Sequence, residues 1–242
     1  HDIEYLFPLT DLEIDVLDRN RAVFKQNRIV LCMPSSQTLA IARNKYVLYK
    51  TFEYDDLVPS ISTYLSGEVP ITLLPAIAKP YNGRSSEGVL RISNVKELEE
   101  VSSKSGYIFQ EIIEGPVFTV DYIRNSYTDK DFSIVREELL RTKNGAGTTV
   151  RMSNDMSLKR LVSHIGNMIQ VNGCINMEFI QSKGKYYLID INPRFSAGVA
   201  FSHMAGYNMV LNHLNCFIVQ DIQAPVLYQE QIITKRYREE IL

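Results

Sequence analysis

Two short segments late in the chain alternate between polar and apolar residues and are separated by a glycine turn. Asn176 and Glu178 fall on one face of the first segment, and Asp190 and Asn192 fall on one face of the second. Ser182-Lys183-Gly184-Lys185 between them is typical of a hairpin turn. If that loop has three residues, Glu178 lies opposite Asp190 and Asn176 lies opposite Asn192. The pattern therefore predicts an antiparallel hairpin with one acidic face.

Two opposed carboxylates in such a hairpin would repel each other, because paired Cβ atoms lie about 4.5–5.5 Å apart. A bound cation would turn that repulsion into attraction. Carboxylate and amide oxygens suit Mg²⁺, which usually binds one or two carboxylates together with the phosphates of a substrate. We therefore predict a Mg²⁺ (or Mn²⁺) site formed by Glu178, Asp190 and Asn192.

Composition excludes several classes of protein. The 242 residues are 45% hydrophobic, which is enough for one large domain or two smaller ones. A net charge of −2 provides no basic surface for nucleic acid. The three cysteines are far apart and form no CxxC pair, which indicates buried thiols in a reducing compartment rather than a zinc site. With no signal peptide and no apolar run near 20 residues, we expect a cytoplasmic protein with no membrane contact.

The first 34 residues have the pattern of a strand, a helix and a second strand. Residues 1–8 are typical of a strand, residues 12–24 have helical spacing, and residues 29–33 are predicted to form a buried strand that ends at Pro34. A parallel sheet needs helices on both faces, and one such unit cannot supply them. We therefore expect a further segment upstream of residue 1.

The middle of the chain carries two lysines and a small polar loop. Lys45 lies in a predicted helix that runs to about residue 52. In this helix, Lys45 is either an ordinary surface lysine or a residue with a role in function. A short helix is expected over residues 61–66, and Lys79 ends a buried strand. Loop 82–88, which contains Gly83, Ser85, Ser86 and Gly88, is either an ordinary hairpin loop or a set of backbone N–H groups that bind a polyphosphate. Lys79 beside it favours phosphate binding.

Acidic residues interrupt two further apolar strands. In the strand that contains Glu111 and Ile113, the acid fits either period-two alternation at a sheet edge or acceptance of an adenine amino group, with the Ile113 backbone pairing to the ring. Asp121 lies in a second apolar run and either stands near the cation or faces solvent.

Taken together, the order and separation of these motifs resemble the ATP-grasp superfamily over most of the chain from about residue 29. The similarity is greatest to carbamoyl-phosphate synthase domains and other carboxylate–amine ligases. The residues that carry the resemblance are Lys79-Pro80, loop 82–88, Gln110-Glu111, Glu114-Gly115, Glu178 and Asp190-Ile191-Asn192-Pro193-Arg194.

The resemblance implies an α+β fold with ATP between two antiparallel sheets. Residues 1–34 would be part of a Rossmann-like segment, residues 35–106 a lid subdomain with the phosphate loop, and residues 107–242 a C-terminal palm subdomain with the metal site. The implied roles are ATP phosphate binding by Lys45, Lys79 and loop 82–88, adenine binding by Glu111 and Ile113, Mg²⁺ binding by Glu178, Asp190 and Asn192, and stabilisation of the transferred phosphoryl group by Arg194.

Two positions depart from the family pattern. Val117 stands where an acid often holds the ribose hydroxyls, and Asp190 stands where the second metal-binding acid is usually a longer Glu. The first change would lower nucleotide affinity or leave the hydroxyls to another group. The second would weaken a geometry in which one carboxylate bridges two ions.

The resulting functional prediction is an ADP-forming ligase that joins a small-molecule carboxylate to an amine through an acyl-phosphate, with ATP and Mg²⁺ and possible assembly as a homodimer. Two alternatives stay open. One is an ATP-grasp domain that binds nucleotide without ligase activity, and the other is a structural β protein with an acid-rich hairpin. The identity of the substrates has no local signature in the sequence.

Overall fold

The computed structural model describes residues 2–83, 87–143 and 145–236. In these residues twelve strands alternate with eight helices. The strands are β1 Tyr5–Leu6, β2 Val30–Leu31, β3 Thr63–Leu65, β4 Ala76–Pro80, β5 Leu90–Ile92, β6 Tyr107–Glu111, β7 Val117–Asn125, β8 Lys130–Arg141, β9 Gly147–Ser153, β10 Gly173–Ser182, β11 Lys185–Asn192 and β12 Ile232–Thr234. The helices are α1 Asp11–Arg19, α2 Arg21–Gln26, α3 Ser36–Ala42, α4 Lys45–Phe52, α5 Val95–Ser102, α6 Met156–Met168, α7 Val199–Met204 and α8 Met209–Asn215.

The described strands form three sheets. A six-stranded sheet has the order β11-β10-β7-β8-β9-β12, and a four-stranded sheet has the order β3-β6-β4-β5. All paired strands in both sheets are antiparallel. The short strands β1 and β2 pair in parallel on their own. Mixed helices and antiparallel sheets confirm the predicted α+β class.

The hairpin formed by β10 and β11 has the predicted pairing for a different reason. Glu178 lies opposite Asp190 and Asn176 lies opposite Asn192, but the turn is only Lys183-Gly184. A β-bulge next to Glu178 shifts the register by one residue, because Phe179 pairs with Leu188 while Glu178 pairs with Asp190. A bulge inserts one extra residue into one strand. The extra residue in β11 compensates for a turn of two residues where the prediction assumed three, so Glu178 still lies opposite Asp190.

One face of the six-stranded sheet is buried under helices α3, α4 and α6. Ile175, Met177 and Phe179 alternate along β10 and all point into this core. They pack with the apolar stripe of α6 and with Leu48 and Phe52 of α4. The helical segment after residue 35, which the predicted domain division assigned to the lid, therefore packs against the larger sheet.

The opposite face of the same sheet is apolar at one end and polar at the other. Its apolar end packs against α7 and α8 through residues that include Ile123, Ile134 and Tyr207. The polar end is a row of four residues in direct register across four strands, namely Asp190, Glu178, Thr119 and Arg136. Side chains of residues paired in this way share one face of a sheet. The row places charged groups side by side where this face is open.

The strand–helix–strand pattern expected near the N-terminus is present, with two helices in place of one. Thr10 and Glu13 form a capping box that begins α1, and the chain breaks at Asn20 before α2. β1 and β2 are parallel, as a connection through helices allows.

One expectation about the middle of the chain is wrong. Residues 61–66 do not form a helix, because Thr63–Leu65 is strand β3 and pairs with β6. β6 belongs to the four-stranded sheet and β7 to the six-stranded sheet, and the division into subdomains stays a prediction. None of the described helices is both long and apolar enough to span a bilayer.

Candidate active site

A cleft of about 310 Å³, called here the main cleft, lies between the four-stranded and the six-stranded sheets. β4 and β6 supply one wall, and β10 and β11 supply the other. Much of its lining is aliphatic, as a slot for a flat ring requires. The aliphatic lining residues are Ile61, Ile77, Val89, Ile112, Ile113, Ile180 and Ile189. The polar ones include seven side chains or backbone groups, namely Lys45, Lys79, Gly83, Gln110, Glu111, Glu178 and Asp190.

Lys79 joins the two walls of the cleft. It follows the buried residue Ala78 on β4, and its Nζ donates a hydrogen bond to the carbonyl of Ile189 on β11 at 3.2 Å. Burial, together with the nearby charge of Lys45, lowers the pKa of the Lys79 ammonium to about 8, although Asp190 and Glu178 oppose the shift. Lys79 is thus a charged group held inside the cleft at neutral pH.

Lys45 is part of the site and is not an ordinary surface lysine. It is the first residue of α4, which Asn44 caps through its side chain. Its Nζ lies 2.9 Å from Oδ1 of Asp190 and donates to the carbonyl of Gly83 at 3.0 Å. The first contact is a close ion pair rather than an aligned hydrogen bond, since Oδ1 of Asp190 has no hydrogen-bond partner among the described residues. Lys45 therefore links loop 82–88 to β11.

The small polar loop is described at its two ends. Gly83 lines the main cleft, whereas Gly88 lines an adjoining opening beside Pro80. Gly88 has φ +73°, and a Cβ atom there would lie 2.9 Å from Cγ of Pro80, so glycine is required by both backbone and space. Ser85 and Ser86 lie outside the described residues, and their predicted contacts with phosphate stay predictions.

Glu111 and Ile113 lie together at the end of β6 and line the main cleft. Oε1 of Glu111 accepts a hydrogen bond from the backbone N–H of Ser62 at 2.9 Å. The carboxylate thus fixes the segment just before β3, and Glu111 also lines the cleft. Acceptance of an adenine amino group by Glu111 remains a prediction, as does ring pairing by the Ile113 backbone.

Glu178 and Asp190 face the same cavity from adjacent strands, and each is paired with a cation. Arg141 donates from Nη2 to Oε2 of Glu178 at 2.9 Å, and Lys45 lies beside Asp190. Burial and the neighbouring charge of Asp190 raise the pKa of Glu178, while Arg141 lowers it. Asn192, the third predicted ligand, donates to Oδ1 of Asn176 at 3.3 Å and accepts from Arg194 at 3.4 Å.

The donor set fits a hard divalent cation. Two carboxylates lie opposite each other in the β-ladder, the amide oxygen of Asn192 follows on the same face, and all three are oxygen ligands of the type that Mg²⁺ prefers. Both acids are already neutralised by Arg141 and Lys45, which indicates that positive charge is needed at this point. No three His, Cys, Asp or Glu side chains cluster around a metal position in the described part of the chain, and the third oxygen of this set comes from the amide of Asn192.

Arg194 comes directly after the hairpin and is held by a residue from the other end of the chain. Its Nε and Nη2 both donate to Oδ2 of Asp11, at 3.1 and 2.9 Å. Asp11 is the first residue of α1 and is itself buried. Two parallel contacts to one carboxylate fix the plane of the guanidinium. Arg194 is therefore oriented before any ligand arrives.

Arg194 and Asn192 face a second cavity of about 250 Å³, called here the side pocket, which shares Glu178 and Asp190 with the main cleft. The two acids thus stand between two connected spaces. The polar lining of the side pocket includes Thr119, Arg136, Glu138, Arg141, Asn176 and Ser196.

Asp121 does not face solvent. It is completely buried and accepts hydrogen bonds from Nη1 of Arg136 at 2.7 Å and from the Ser202 hydroxyl at 2.6 Å. Asp121 therefore anchors Arg136 beneath the side pocket. The alternative in which it faces solvent is wrong, and a position near the cation stays a prediction.

Sequence reasoning missed four charged residues of the site, namely Asp11, Arg136, Glu138 and Arg141. Arg136 and Glu138 alternate on β8, and that spacing could have placed them on one face. Asp11 and Arg141 had no such signal, because their partners Arg194 and Glu178 are distant in sequence.

Comparison with known proteins agrees with this geometry. The family model described as an ATP-grasp domain matches residues 42–198. The fold is also that of biotin carboxylase from Campylobacter jejuni, solved with β-γ-ATP, at a TM-score of 0.79 and 15% identity over 91% of this chain and 56% of that one. No curated protein sequence matches the chain.

Two further solved structures share the fold. The biotin carboxylase domain dimer of Hydrogenobacter thermophilus 2-oxoglutarate carboxylase, solved with MgADP, ADP and bicarbonate, has a TM-score of 0.78 and 15% identity over 91% of this chain and 55% of that one. N5-carboxyaminoimidazole ribonucleotide synthetase from Thermotoga maritima has a TM-score of 0.69 and 18% identity over 92% of this chain and 60% of that one. The chain thus spans less than two thirds of each of these structures. With a cleft between two antiparallel sheets and a family match over residues 42–198, the chain belongs to the ATP-grasp family.

Proposed function

We propose that the protein is an ADP-forming ligase that activates a carboxylate with Mg-ATP and transfers the acyl group to an amine. The observation that carries this proposal is the position of Glu178 and Asp190. They are paired across one ladder, shared by two cavities, and neutralised by Lys45 and Arg141. Such a row of acids and cations between two spaces suits a phosphoryl group that passes from one to the other.

The main cleft would hold ATP. Its aliphatic walls accommodate the adenine ring near Glu111 and Ile113, and Lys79 and Lys45 face the phosphates, together with the loop that starts at Gly83. The relatives solved with β-γ-ATP or with MgADP support a nucleotide in this fold. Lys79 provides its charge without a nearby aligned carboxylate to satisfy it, so phosphate is a favourable partner.

Glu178, Asp190 and Asn192 would hold Mg²⁺, whose chemistry here is neutralisation of phosphate charge. Arg141 and Lys45 would then be released from the two acids to contact phosphate oxygens. Arg194, oriented by Asp11, would stabilise charge on the group transferred into the side pocket.

The reaction would have two displacements. A substrate carboxylate oxygen attacks the γ-phosphorus, the bond to the β-phosphate oxygen breaks, and ADP leaves. The neutral amine then attacks the acyl carbon, the C–N bond forms, inorganic phosphate leaves with the electron pair of the C–O bond, and the nitrogen loses one proton to solvent or to the departing phosphate. Positioning and charge neutralisation supply the catalysis, and no covalent protein nucleophile is needed.

The test is ADP release from Mg-ATP over a panel of carboxylates, with hydroxylamine present to trap any acyl-phosphate as a coloured hydroxamate. The wild type should form ADP and hydroxamate with at least one carboxylate. Asp190→Ala and Asn192→Ala should lower that rate by 10²-fold or more, which is typical of the loss of a group that stabilises a transition state.

Asp56→Ala is the matched control, because it removes an exposed carboxylate far from both cavities. Its ADP release should equal that of the wild type. Unchanged turnover in Asp190→Ala and Asn192→Ala would contradict the metal assignment.

A nucleotide-binding protein without ligase activity is the second candidate, and Val117 favours it because no acid stands there for the ribose hydroxyls. Calorimetry with Mg-ATP separates the two. Binding of Mg-ATP with no hydroxamate under any carboxylate would support the non-catalytic alternative. The homodimer and the cytoplasmic location stay proposals, the first supported by the dimeric relative from Hydrogenobacter thermophilus.

A further inference from the structure

In the side pocket, Glu138 has a buried carboxylate oxygen without a hydrogen-bond donor among the described residues, and, unlike the similarly unpaired Oδ1 of Asp190, this oxygen has no lysine beside it. The side chain of Glu138 is 2% exposed, and its Oε2 has no hydrogen-bond partner in the described part of the chain. Its other oxygen, Oε1, accepts from Nε of Arg136 at 3.3 Å. A buried acceptor that remains unpaired costs free energy, and such a group in a polar cavity is a place for a ligand donor.

The surroundings leave space for that oxygen and add no competing donor. Gly147 lies beside it, and a Cβ atom there would be only 1.9 Å from Oε2 of Glu138. Gly198 leaves similar room beside Arg136, where a Cβ atom would be 2.9 Å from Nη2. Both glycines line the side pocket. Because Gly147 and Gly198 have no side chains, there is room for the Arg136–Glu138 pair. Oε2 of Glu138 therefore lies at the wall of the side pocket.

The charges around the pocket identify the ligand that Glu138 would take. Arg136 is already paired with the buried Asp121, and Arg194 with Asp11, so these cations and anions largely balance each other. Arg141 pairs with Glu178 across the same pocket. Glu138 shares Arg136 with Asp121, and its second oxygen has no hydrogen-bond partner among the described residues. A positively charged N–H donor complements it better than an anion does.

We propose that Glu138 binds the nitrogen of the nucleophile, and that this nucleophile is a primary amine or ammonia recognised in its cationic form. The bound ammonium gives one proton to the free carboxylate oxygen of Glu138, and the neutral amine that results attacks the acyl carbon. The inference rests on the proposed ligase function and names the second substrate of that site. The amine would lie in the side pocket with Asp190, Glu178 and Arg194 between it and the main cleft. Glu138 would therefore determine specificity, because it favours a nucleophile that binds as a cation over one that binds uncharged.

The test compares two nucleophiles in the wild type and in Glu138→Gln. Ammonium chloride is the charged amine probe, and hydroxylamine, which is uncharged at neutral pH, is the second. The carboxylate is the one that forms most hydroxamate with the wild type. Glutamine keeps the shape and the contact with Arg136 but loses the charge, so the KM for ammonium should rise about tenfold or more, which corresponds to a lost charge-assisted hydrogen bond. The KM for hydroxylamine should change less than threefold.

Glu137→Gln is the matched control, because this neighbouring acid pairs with Arg151 outside both cavities. Tetramethylammonium chloride, which has no N–H group, controls for ionic strength. Glu138→Asp tests the same contact with charge kept, and its KM for ammonium should lie between those of the wild type and Glu138→Gln.

The outcomes separate this inference from the proposed function. A wild type that forms hydroxamate, with equal changes for both nucleophiles or with none in Glu138→Gln, overturns the role of Glu138 and leaves the ligase intact. A wild type that forms neither ADP nor hydroxamate with any carboxylate overturns both. A raised KM for ammonium alone, in Glu138→Gln but not in Glu137→Gln, supports the inference.

Discussion

Single side chains in this site already have partners that a ligand would have to replace. Glu178 is held by Arg141, Asp190 by Lys45, and Lys79 donates to a backbone carbonyl. The two acids that are predicted to bind Mg²⁺ are therefore already paired with cations in the absence of the metal ion. The two cations keep the hairpin neutral and would move to phosphate when the nucleotide and the metal arrive.

Arg141→Gln should make the paired acids a better site for a metal ion alone. Arg141 competes directly for Glu178, and loss of one charge-assisted hydrogen bond is about 1.5–3 kcal/mol. Mn²⁺ affinity without nucleotide, measured from the free Mn²⁺ signal in electron paramagnetic resonance, should rise about tenfold. Arg151→Gln, whose arginine pairs with Glu137, should leave it unchanged. Equal affinity in the wild type and Arg141→Gln would show that the ion pair does not restrain Glu178.

The pKa of Lys79 predicts how nucleotide binding depends on pH. Burial lowers this pKa to about 8, so the ammonium is charged below that pH and becomes neutral as the pH rises through it. Affinity for ATP should fall about tenfold between pH 7 and pH 9, as the charged fraction of one contributing group does. Lys79→Arg should remove most of that dependence because arginine stays charged. Calorimetry at several pH values measures it, and identical pH profiles in both proteins would exclude Lys79 as the titrating group.

At the scale of elements, periodicity predicted the hairpin but not what surrounds it. The alternation in β10 and β11 placed Asn176, Glu178, Asp190 and Asn192 on one face, and the observed register confirms it. The bulge beside Glu178 was not predictable, because a one-residue register shift has no local signature in this sequence. The short strand β3 was missed for a related reason. Three residues carry too little pattern, and pairing with β6 decides their conformation.

Long-range partners explain the other failures at this scale. Asp121 has the same alternating neighbours as a solvent-facing acid, and only the position of Arg136 on the adjacent strand shows that it is buried. Asp11 begins a helix by an ordinary capping box, and its contact with Arg194 depends on the fold as a whole. Sequence periodicity predicted which face of an element is polar, whereas the tertiary structure determines which charged side chains form ion pairs.

Helix α8 carries a histidine whose protonation should affect stability. Nδ1 of His213 accepts from the backbone N–H of Cys174 at 2.7 Å, and Nε2 lies 2.8 Å from the carbonyl of Cys32. Nδ1 is therefore unprotonated, and burial lowers the pKa of His213 to about 4. An unfolded chain takes up the proton near pH 6.5, so the contribution is present above that pH and is lost as the pH falls towards 4.

The free energy of unfolding should consequently fall by about 2 kcal/mol more between pH 7 and pH 5 in the wild type than in His213→Gln. Glutamine can accept from Cys174 and donate to Cys32 without titrating. Urea denaturation at the two pH values measures the difference. The exposed His203, changed to Gln, is the control and should follow the wild type. Parallel losses in all three proteins would show that His213 does not bind the proton on unfolding.

The molecule as a whole places its charged groups where elements from distant parts of the chain meet. The main cleft needs both sheets, and the side pocket needs the hairpin, β8 and the segment after Arg194. The N-terminal segment, which consists of residues 2–34, contributes the carboxylate of Asp11 to this arrangement. The ATP-grasp sheets alone would leave Arg194 without its strongest partner.

Asp11→Asn should lower kcat while ATP affinity changes little, and it should also lower the melting temperature because Arg43 and Arg194 lose a buried carboxylate. The carboxamide keeps the shape but loses the charge that holds the guanidinium, so Arg194 would be oriented less well for the transferred group. We expect a decrease in kcat of about tenfold, which corresponds to 1.4 kcal/mol. Asp15→Asn is the control, because Asp15 shares Arg43 with Asp11 but does not contact Arg194. A normal kcat in Asp11→Asn would show that Arg194 needs no such anchor.

The contact between Asp11 and Arg194 also limits how such chains can be recombined. The contacts of residues 2–34 with the rest of the chain include this ion pair and the contact of Cys32 with His213 on α8, and neither partner is chosen by local sequence. A chimera that joins the front segment of one relative to the sheets of another would therefore need both junctions to match, even where the two sequences align without gaps. The front segment and the guanidinium that it orients would have to be exchanged together.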